Sequence, residues 1–181
     1  MLGKDIKYEV ILLDEKSFRE YAIDQFDCAS ENINTYIKET ALKDYFNNKG
    51  VTKIIINSDN KEIIGFYTLS TTALIYESNN KNHYLPSIEI KFFAIDKEYQ
   101  GLKYDESEEE LNNFSNMMFF DILSSIRKIS EEVCGVHNII LYSVAKAYNF
   151  YNRHGFKDFN EYMKRDEGKY IKDCIPLYML I

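Results

Sequence analysis

The chain is predicted to fold as a mixed α/β (α+β) domain in which about four helices flank a central sheet of about seven strands. Three observations predict it. Runs rich in β-branched and aromatic residues recur between turn-forming residues, and apolar residues at helical spacing separate them. The order reads strand, two helices, three strands, helix, strand, helix and two strands. The 181 residues suffice for one independent core, and neither a repeat nor a linker divides them. Residues 1–181 are therefore expected to form a single domain.

Residues 7–13 read as the first strand, and a short helical turn comes next at 16–23. Ser30 is the expected N-cap of the next helix. Ile33, Tyr36, Ile37, Ala41 and Tyr45 recur on one face of it, and Asn47, Asn48 and Gly50 stop it. Residues 52–57 and 62–70 are strand-like runs joined by Ser58-Asp59-Asn60-Lys61, which suits a hairpin. Residues 87–96 form a third run behind Pro86, a residue tolerated at a strand entry. In that strand Glu89, Lys91, Phe93 and Ile95 share one face, and Ile88, Ile90, Phe92 and Ala94 share the other.

The pattern breaks over residues 100–113, where Asp105, Glu106, Glu108, Glu109 and Glu110 crowd around Ser107 and predict an exposed loop or flap. Phe114, Met118, Ile122, Ile126, Ile129 and Val133 then mark the longest helix, with Asn113 or Ser115 at its start. Residues 138–144 are a compact apolar strand. Residues 145–154 form a helix ended by Gly155, which lacks a Cβ and so accepts a left-handed cap. Closing strands are expected near 157–159 and 177–181.

Composition narrows the function. A hydrophobic content of 45% argues against disorder, and no apolar run reaches the length of a membrane span. The residues after Met1 lack the apolar stretch of a signal peptide, which predicts a cytoplasmic protein. Cys28, Cys134 and Cys174 are widely spaced and odd in number, which fits reduced thiols. His83, His137 and His154 stand alone, so no metal site is expected. A net charge of −7 opposes the counterion release that drives nucleic-acid binding, so a nucleic-acid partner is not expected. A local basic patch built from Lys91, Lys103, Arg127, Lys128, Arg153 and Lys157 stays open.

Three stretches, in this order and at these separations, resemble the GNAT N-acetyltransferase superfamily. They are Phe93-Ala94-Ile95-Asp96-Lys97-Glu98-Tyr99-Gln100-Gly101, Ala147-Tyr148-Asn149-Phe150-Tyr151-Asn152-Arg153-His154-Gly155-Phe156, and Phe26-Asp27-Cys28 together with Gly65-Phe66-Tyr67-Thr68-Leu69-Ser70. The last pair looks like a branch of the superfamily that includes toxins acetylating aminoacyl-tRNA. The resemblance implies a sheet splayed in the middle, acetyl-CoA as cosubstrate, and a small-molecule or peptide amine as acceptor; a homodimer is compatible with it.

It also implies residue roles. The pantetheine arm would lie between the strand ending at Ile95 and the strand around Leu141, held by backbone groups of Phe93, Ala94 and Ile95. Tyr151 matches the tyrosine that many family members use as general acid, with a core aromatic as the alternative reading. Glu89, in Glu89-Ile90-Lys91-Phe92-Phe93-Ala94-Ile95, resembles the glutamate that takes the amine proton in histone-type acetyltransferases; a solvated strand glutamate is the alternative. If Glu89 lines the cleft, burial is expected to raise its pKa. Gln100, Gly101, Asn113, Ser115, Ser143 and Phe150 complete the cofactor candidates. The sequence departs from the family after Gln100-Gly101, where Leu102-Lys103-Tyr104 and the acidic run intervene, and at Val144, where the family carries asparagine. An anion-binding turn would thus be rebuilt near Asn112-Asn113-Phe114-Ser115 or be lost, and the loss would leave a non-catalytic binding module.

Overall fold

A computed structural model describes residues 1–159 and 173–181. Seven strands form one sheet: β1 (Tyr8–Leu12), β2 (Val51–Asn57), β3 (Ile63–Ser78), β4 (Lys81–Ile95), β5 (Asn138–Ser143), β6 (Lys157–Asp158) and β7 (Ile175–Leu180), in the order β1-β2-β3-β4-β5-β7-β6. The pairs β1–β2, β2–β3, β5–β7 and β6–β7 are antiparallel, and β4 with β5 is parallel. The helices are α1 (Glu15–Glu20), α2 (Glu31–Thr35), α3 (Ala41–Phe46), α4 (Phe114–Glu132) and α5 (Tyr148–Arg153). A π turn, Tyr36–Thr40, joins α2 to α3, so the helical segments make four rods among the described residues, where about four were expected from the sequence.

The chain divides into two compact units, Met1–Leu69 with Phe92–Ser125, and Ser70–Lys91 with Ile126–Ile181; β3, β4 and α4 pass from one to the other. In the first unit the predicted alternation of β4 is realised. Phe92 and Ala94 join Leu13, Ile37, Ile54 and Phe66 in one apolar cluster. Tyr36 stacks on Phe92 at 4.0 Å between ring centroids. Phe93 faces the other way and packs on Phe119 of α4 at 5.2 Å. The π turn bonds the Ala41 N–H to the Tyr36 carbonyl and keeps Tyr36, Ile37 and Ala41 buried.

Two expectations need correction. Ser30 occupies the N-cap position of α2 but makes no side-chain cap bond. The bonding in that turn is done by Asn34, whose Oδ1 accepts from the Cys28 N–H. The second concerns strand length: β3 and β4 run well beyond 62–70 and 87–96. Asn79 and Asn80 both adopt left-handed backbone (φ 51° and 57°), the two-residue turn whose twist matches a hairpin, so the strands stay paired out to Ser78 and Lys81. Asparagine substitutes there for the usual glycine, and the sequence signal is correspondingly weak.

Gly65 has a different task. A Cβ at this position would lie 2.6 Å from the Ala94 carbonyl oxygen, so only glycine lets β3 approach β4 this closely. A bulge adjoins it, because Ile55 pairs with Gly65 while Ile56 pairs with Ile63. Beyond it the Asp96 N–H donates to the Ile64 carbonyl and fixes the end of β4.

Candidate active site

The site residues named from the sequence fall along β4 and around the two connections that lead from β4 to α4 and from β5 to α5. Paired register between β4 and β5 covers Ser87 with Asn138 through Ile90 with Leu141; β4 then continues to Ile95 and β5 to Ser143. In the second unit Glu89 is half-buried, and its Oε2 accepts a hydrogen bond from Ser70 Oγ at 3.2 Å. That bond puts the Glu89 carboxylate on the face of β4 shared by Ser87.

Phe93, Ala94 and Ile95 lie in the first unit, and the residues after them are tightly fastened. Gln100 turns its side-chain amide back, donating through Nε2 to the Ile95 carbonyl at 2.8 Å and to the Cys28 carbonyl at 3.1 Å. Asp27 is held from four sides. Its Oδ1 accepts from the Ala29 N–H at 2.9 Å and from Asn34 Nδ2 at 2.8 Å, its Oδ2 meets Lys97 Nζ at 2.8 Å, and its own N–H donates to Asp96 Oδ2 at 2.9 Å. The Lys97 ammonium, followed by the Ala29 and Asn34 bonds, holds the Asp27 carboxyl well below the usual carboxylate range. The Phe26-Asp27-Cys28 stretch and Gln100 therefore form one clasp around the end of β4.

The acidic stretch is an exposed loop, as expected, and it is tied down at both ends. Leu102 and Tyr104 pair with the start of α4, since the Phe114 N–H donates to the Leu102 carbonyl and the Tyr104 N–H to the Asn112 carbonyl. Asn112, a buried residue, accepts through Oδ1 from the Asp105 N–H and donates through Nδ2 to the Asp105 and Ser107 carbonyls. The chain start closes the loop from outside, with the Gly3 N–H on the Lys103 carbonyl and the Lys4 N–H on the Tyr104 carbonyl, both at 2.8 Å. Gly101 takes the left-handed turn (φ 72°) in open surroundings.

This bonding decides what the start of α4 can offer an anion. The N–H groups of Asn112, Asn113, Phe114, Asn116 and Met117 all donate to backbone carbonyls. Asn113 precedes the first helical residue and Ser115 lies in the first turn, as anticipated. The backbone donors at the start of α4 are thus spent internally, leaving the Ser115 amide as the donor of residues 112–117 not engaged this way among the described residues.

The second connection is short. Ser143, 1% exposed, donates its hydroxyl to the Val144 carbonyl at 2.9 Å. A single 3-10 turn at Ala145–Ala147 leads directly into α5. Tyr151 is half-buried, and its ring meets Phe150 edge-on at 5.2 Å and Phe156 at 6.0 Å. Burial pushes its phenol above the ordinary tyrosine value, so it stays protonated at neutral pH. Gly155 adopts φ 91° and ends the helix, with the Phe156 N–H returning to the Tyr151 carbonyl. Phe150 packs on His154 at 4.6 Å, and its carbonyl lies 2.8 Å from His154 Nδ1.

Sequence reasoning missed the role of Asn112 and the pairing of Ser87 with Asn138. Neither residue stands in a motif, and single asparagines become informative only once the backbone shows which groups they satisfy. Among the described residues no group of three or more His, Cys, Asp or Glu side chains is placed to hold a metal, and no helix is long and apolar enough to cross a membrane.

No family model and no curated sequence matches the chain. Solved structures do, over nearly all of it, and they give it the GNAT fold. A bacterial toxin superposes with a TM-score of 0.74 at 17% identity, covering 97% of this chain and 92% of that one. A tyrosine-to-phenylalanine mutant of KacT gives 0.71 at 21% identity, covering 96% and 95%. The AtaT toxin, also with a tyrosine replaced by phenylalanine and bound to acetyl-CoA and the C-terminus of the antitoxin AtaR, gives 0.69 at 19% identity, covering 96% and 92%.

Proposed function

We propose that the protein is an acetyl-CoA-dependent N-acetyltransferase that acts on a primary amine. The observation that carries the proposal is the course of β4, whose paired register with β5 ends at Ile90 while the strand runs on to Ile95. Such an extension suits a pantetheine arm that hydrogen-bonds to backbone as an added strand would. The likeness to AtaT bound to acetyl-CoA supports the same cosubstrate.

In this reading the Glu89 carboxylate, oriented by Ser70, accepts the amine proton, directly or through water. The amine nitrogen attacks the thioester carbonyl, and backbone N–H groups of Phe93 to Ile95 steady the oxyanion. The attack forms the C–N bond; collapse restores the carbonyl, breaks the C–S bond and leaves a thiolate, to which Tyr151 gives its proton. The phenol is in the protonated form this step needs, and because burial weakens it as an acid the proton would move only as the C–S bond breaks. Gln100 acts indirectly by fastening the end of β4. Gly101, Ser115 and Asn113 are proposed to border the diphosphate, which would rely on fewer backbone donors than the family turn provides, while Ser143 and Phe150 shape the wall around Tyr151.

Calorimetric titration with acetyl-CoA, followed by mass spectrometry of an amine panel, tests the reading. Heat of binding and a mass gain of one acetyl group are expected. An absence of binding at millimolar acetyl-CoA removes the enzyme, because a ligand that prefers the folded state must stabilise it.

A second reading is favoured by one finding, an AtaT structure complexed with acetyl-methionyl-tRNAfMet. If this protein also takes an aminoacyl-tRNA, transfer falls steeply as salt rises, whereas transfer to a small amine does not. The net charge of −7 favours the small amine. Other neighbours are held by an antitoxin or, in a KacTA complex, by DNA. A protein partner of this kind would be captured by co-purification of the chain with the product of an adjacent gene.

A further inference from the structure

A cavity of about 220 Å³ lies in the second unit, walled by Leu74, Tyr76, Leu85, Phe159, Tyr178 and Leu180. Asn138, which is 1% exposed, also belongs to the wall. The Oδ1 of Asn138 is bonded to Ser87 Oγ, and its Nδ2 has no partner among the described residues. That nitrogen is sealed beneath the surface, so the wall a ligand would meet is apolar.

The cavity shares a face with Glu89. Leu85, Ser87 and Glu89 alternate on one side of β4, Ser70 Oγ reaches Glu89 from β3, and the Leu74 N–H donates to Ser87 Oγ. Leu180 stands opposite Asn138 and Tyr178 opposite Ile140 in the β5–β7 register. Two residues of strand separate Ser87 from Glu89, which is about 7 Å at the usual rise. This is about the full length of an arylalkylamine, from its nitrogen to the far edge of the ring.

We infer that this cavity is the acceptor's side-chain pocket, and that the acceptor is a primary amine bearing an apolar or aromatic side chain. The inference rests on the acetyltransferase reading above. An engineered cavity of about 150 Å³ holds benzene, so the space takes a group of up to about nine non-hydrogen atoms. Polyamines lack the apolar bulk that would fill it, and a cationic end within it would meet no carboxylate among the wall residues.

The test compares phenylalanine amide with glycine amide. The kcat/KM ratio of the two is expected to exceed tenfold, as filling an apolar pocket gives in other enzymes. Leu85→Trp is expected to erase the ratio; Leu180→Trp, at a position 60% exposed and so tolerant of bulk, provides the same reading if the first variant folds poorly. Methionine amide and methionyl-tRNA offer the same amine and side chain from two sources, and their relative kcat/KM assigns the source. Without acetyl-CoA, millimolar phenylalanine amide is expected to shift the NMR methyl signals of Leu74, Leu85 and Leu180. Shifted methyls in a protein that binds no acetyl-CoA would keep the pocket and remove the acetyltransferase reading. Equal rates for the two amides with unshifted methyls overturn the pocket and leave the acetyltransferase standing.

Discussion

Two connections lead from a strand into a helix that bears site residues, and they are built in opposite ways. From β5 to α5 the chain spends one 3-10 turn and places Tyr151 on the helix by local geometry alone. From β4 to α4 it takes 18 residues, and the backbone donors at its two ends are committed to internal acceptors, with residues 3 and 4 closing the structure from a hundred positions away. In the short connection the position of Tyr151 follows from one turn of backbone. The long one replaces a pattern of open amides with a self-satisfied loop, and its stability rests on contacts that no local sequence window contains.

The contrast can be broken by mutation, beginning with the long connection. Phe114 is fully buried, contacts the rings of Tyr8 and Tyr99, and packs so closely on Gly3 that a Cβ there would lie 2.7 Å from its ring. Phe114→Ala is expected to cost about 3–5 kcal/mol, measured by urea unfolding. In the short connection, Tyr151→Phe is expected to lower kcat by roughly 100-fold, about 2.7 kcal/mol of barrier, with acetyl-CoA affinity unchanged. An unchanged kcat would return Tyr151 to the role of a packing aromatic. Asn112→Ala strips three backbone groups of a partner and is expected to cost about 2 kcal/mol, with faster hydrogen exchange confined to residues 102–112.

Gly155→Ala forces a Cβ into a left-handed residue with space around it, so the expected loss is backbone strain alone, about 1 kcal/mol. The smallest effect concerns the clasp. The Asp27 carboxyl sits below its ordinary pKa when folded, so its contribution is present above the unfolded value of about 4 and is lost as pH falls through the folded value. The partly exposed Lys97 limits the size. Asp27→Asn should flatten the acid limb of a Tm-against-pH curve between pH 4 and pH 2, and an unaltered slope would remove the pair from the stability of β4.

These differences also show what the sequence could convey. Helical spacing located α4 to within a residue of each end, and period-two alternation assigned Phe92 and Phe93 to opposite faces, because both signals repeat over many residues. Gly155 announced a left-handed cap, for which glycine is nearly required. The extent of β3 and β4 was hidden because two asparagines do the work of the turn. The clasp around β4 was visible only as a resemblance in Phe26-Asp27-Cys28 and Gln100, since its bonds join residues about 70 positions apart. The pocket beneath Asn138 had no signature at all, being assembled from β3, β4, β5, β7 and the end of β6.

The pairing of Gly3 with Lys103 carries a consequence for biosynthesis. At about 5–20 residues per second, a ribosome needs roughly 5–20 seconds to make the intervening chain. The first residues must stay unpaired throughout that interval while β1 and the helices after it are already exposed.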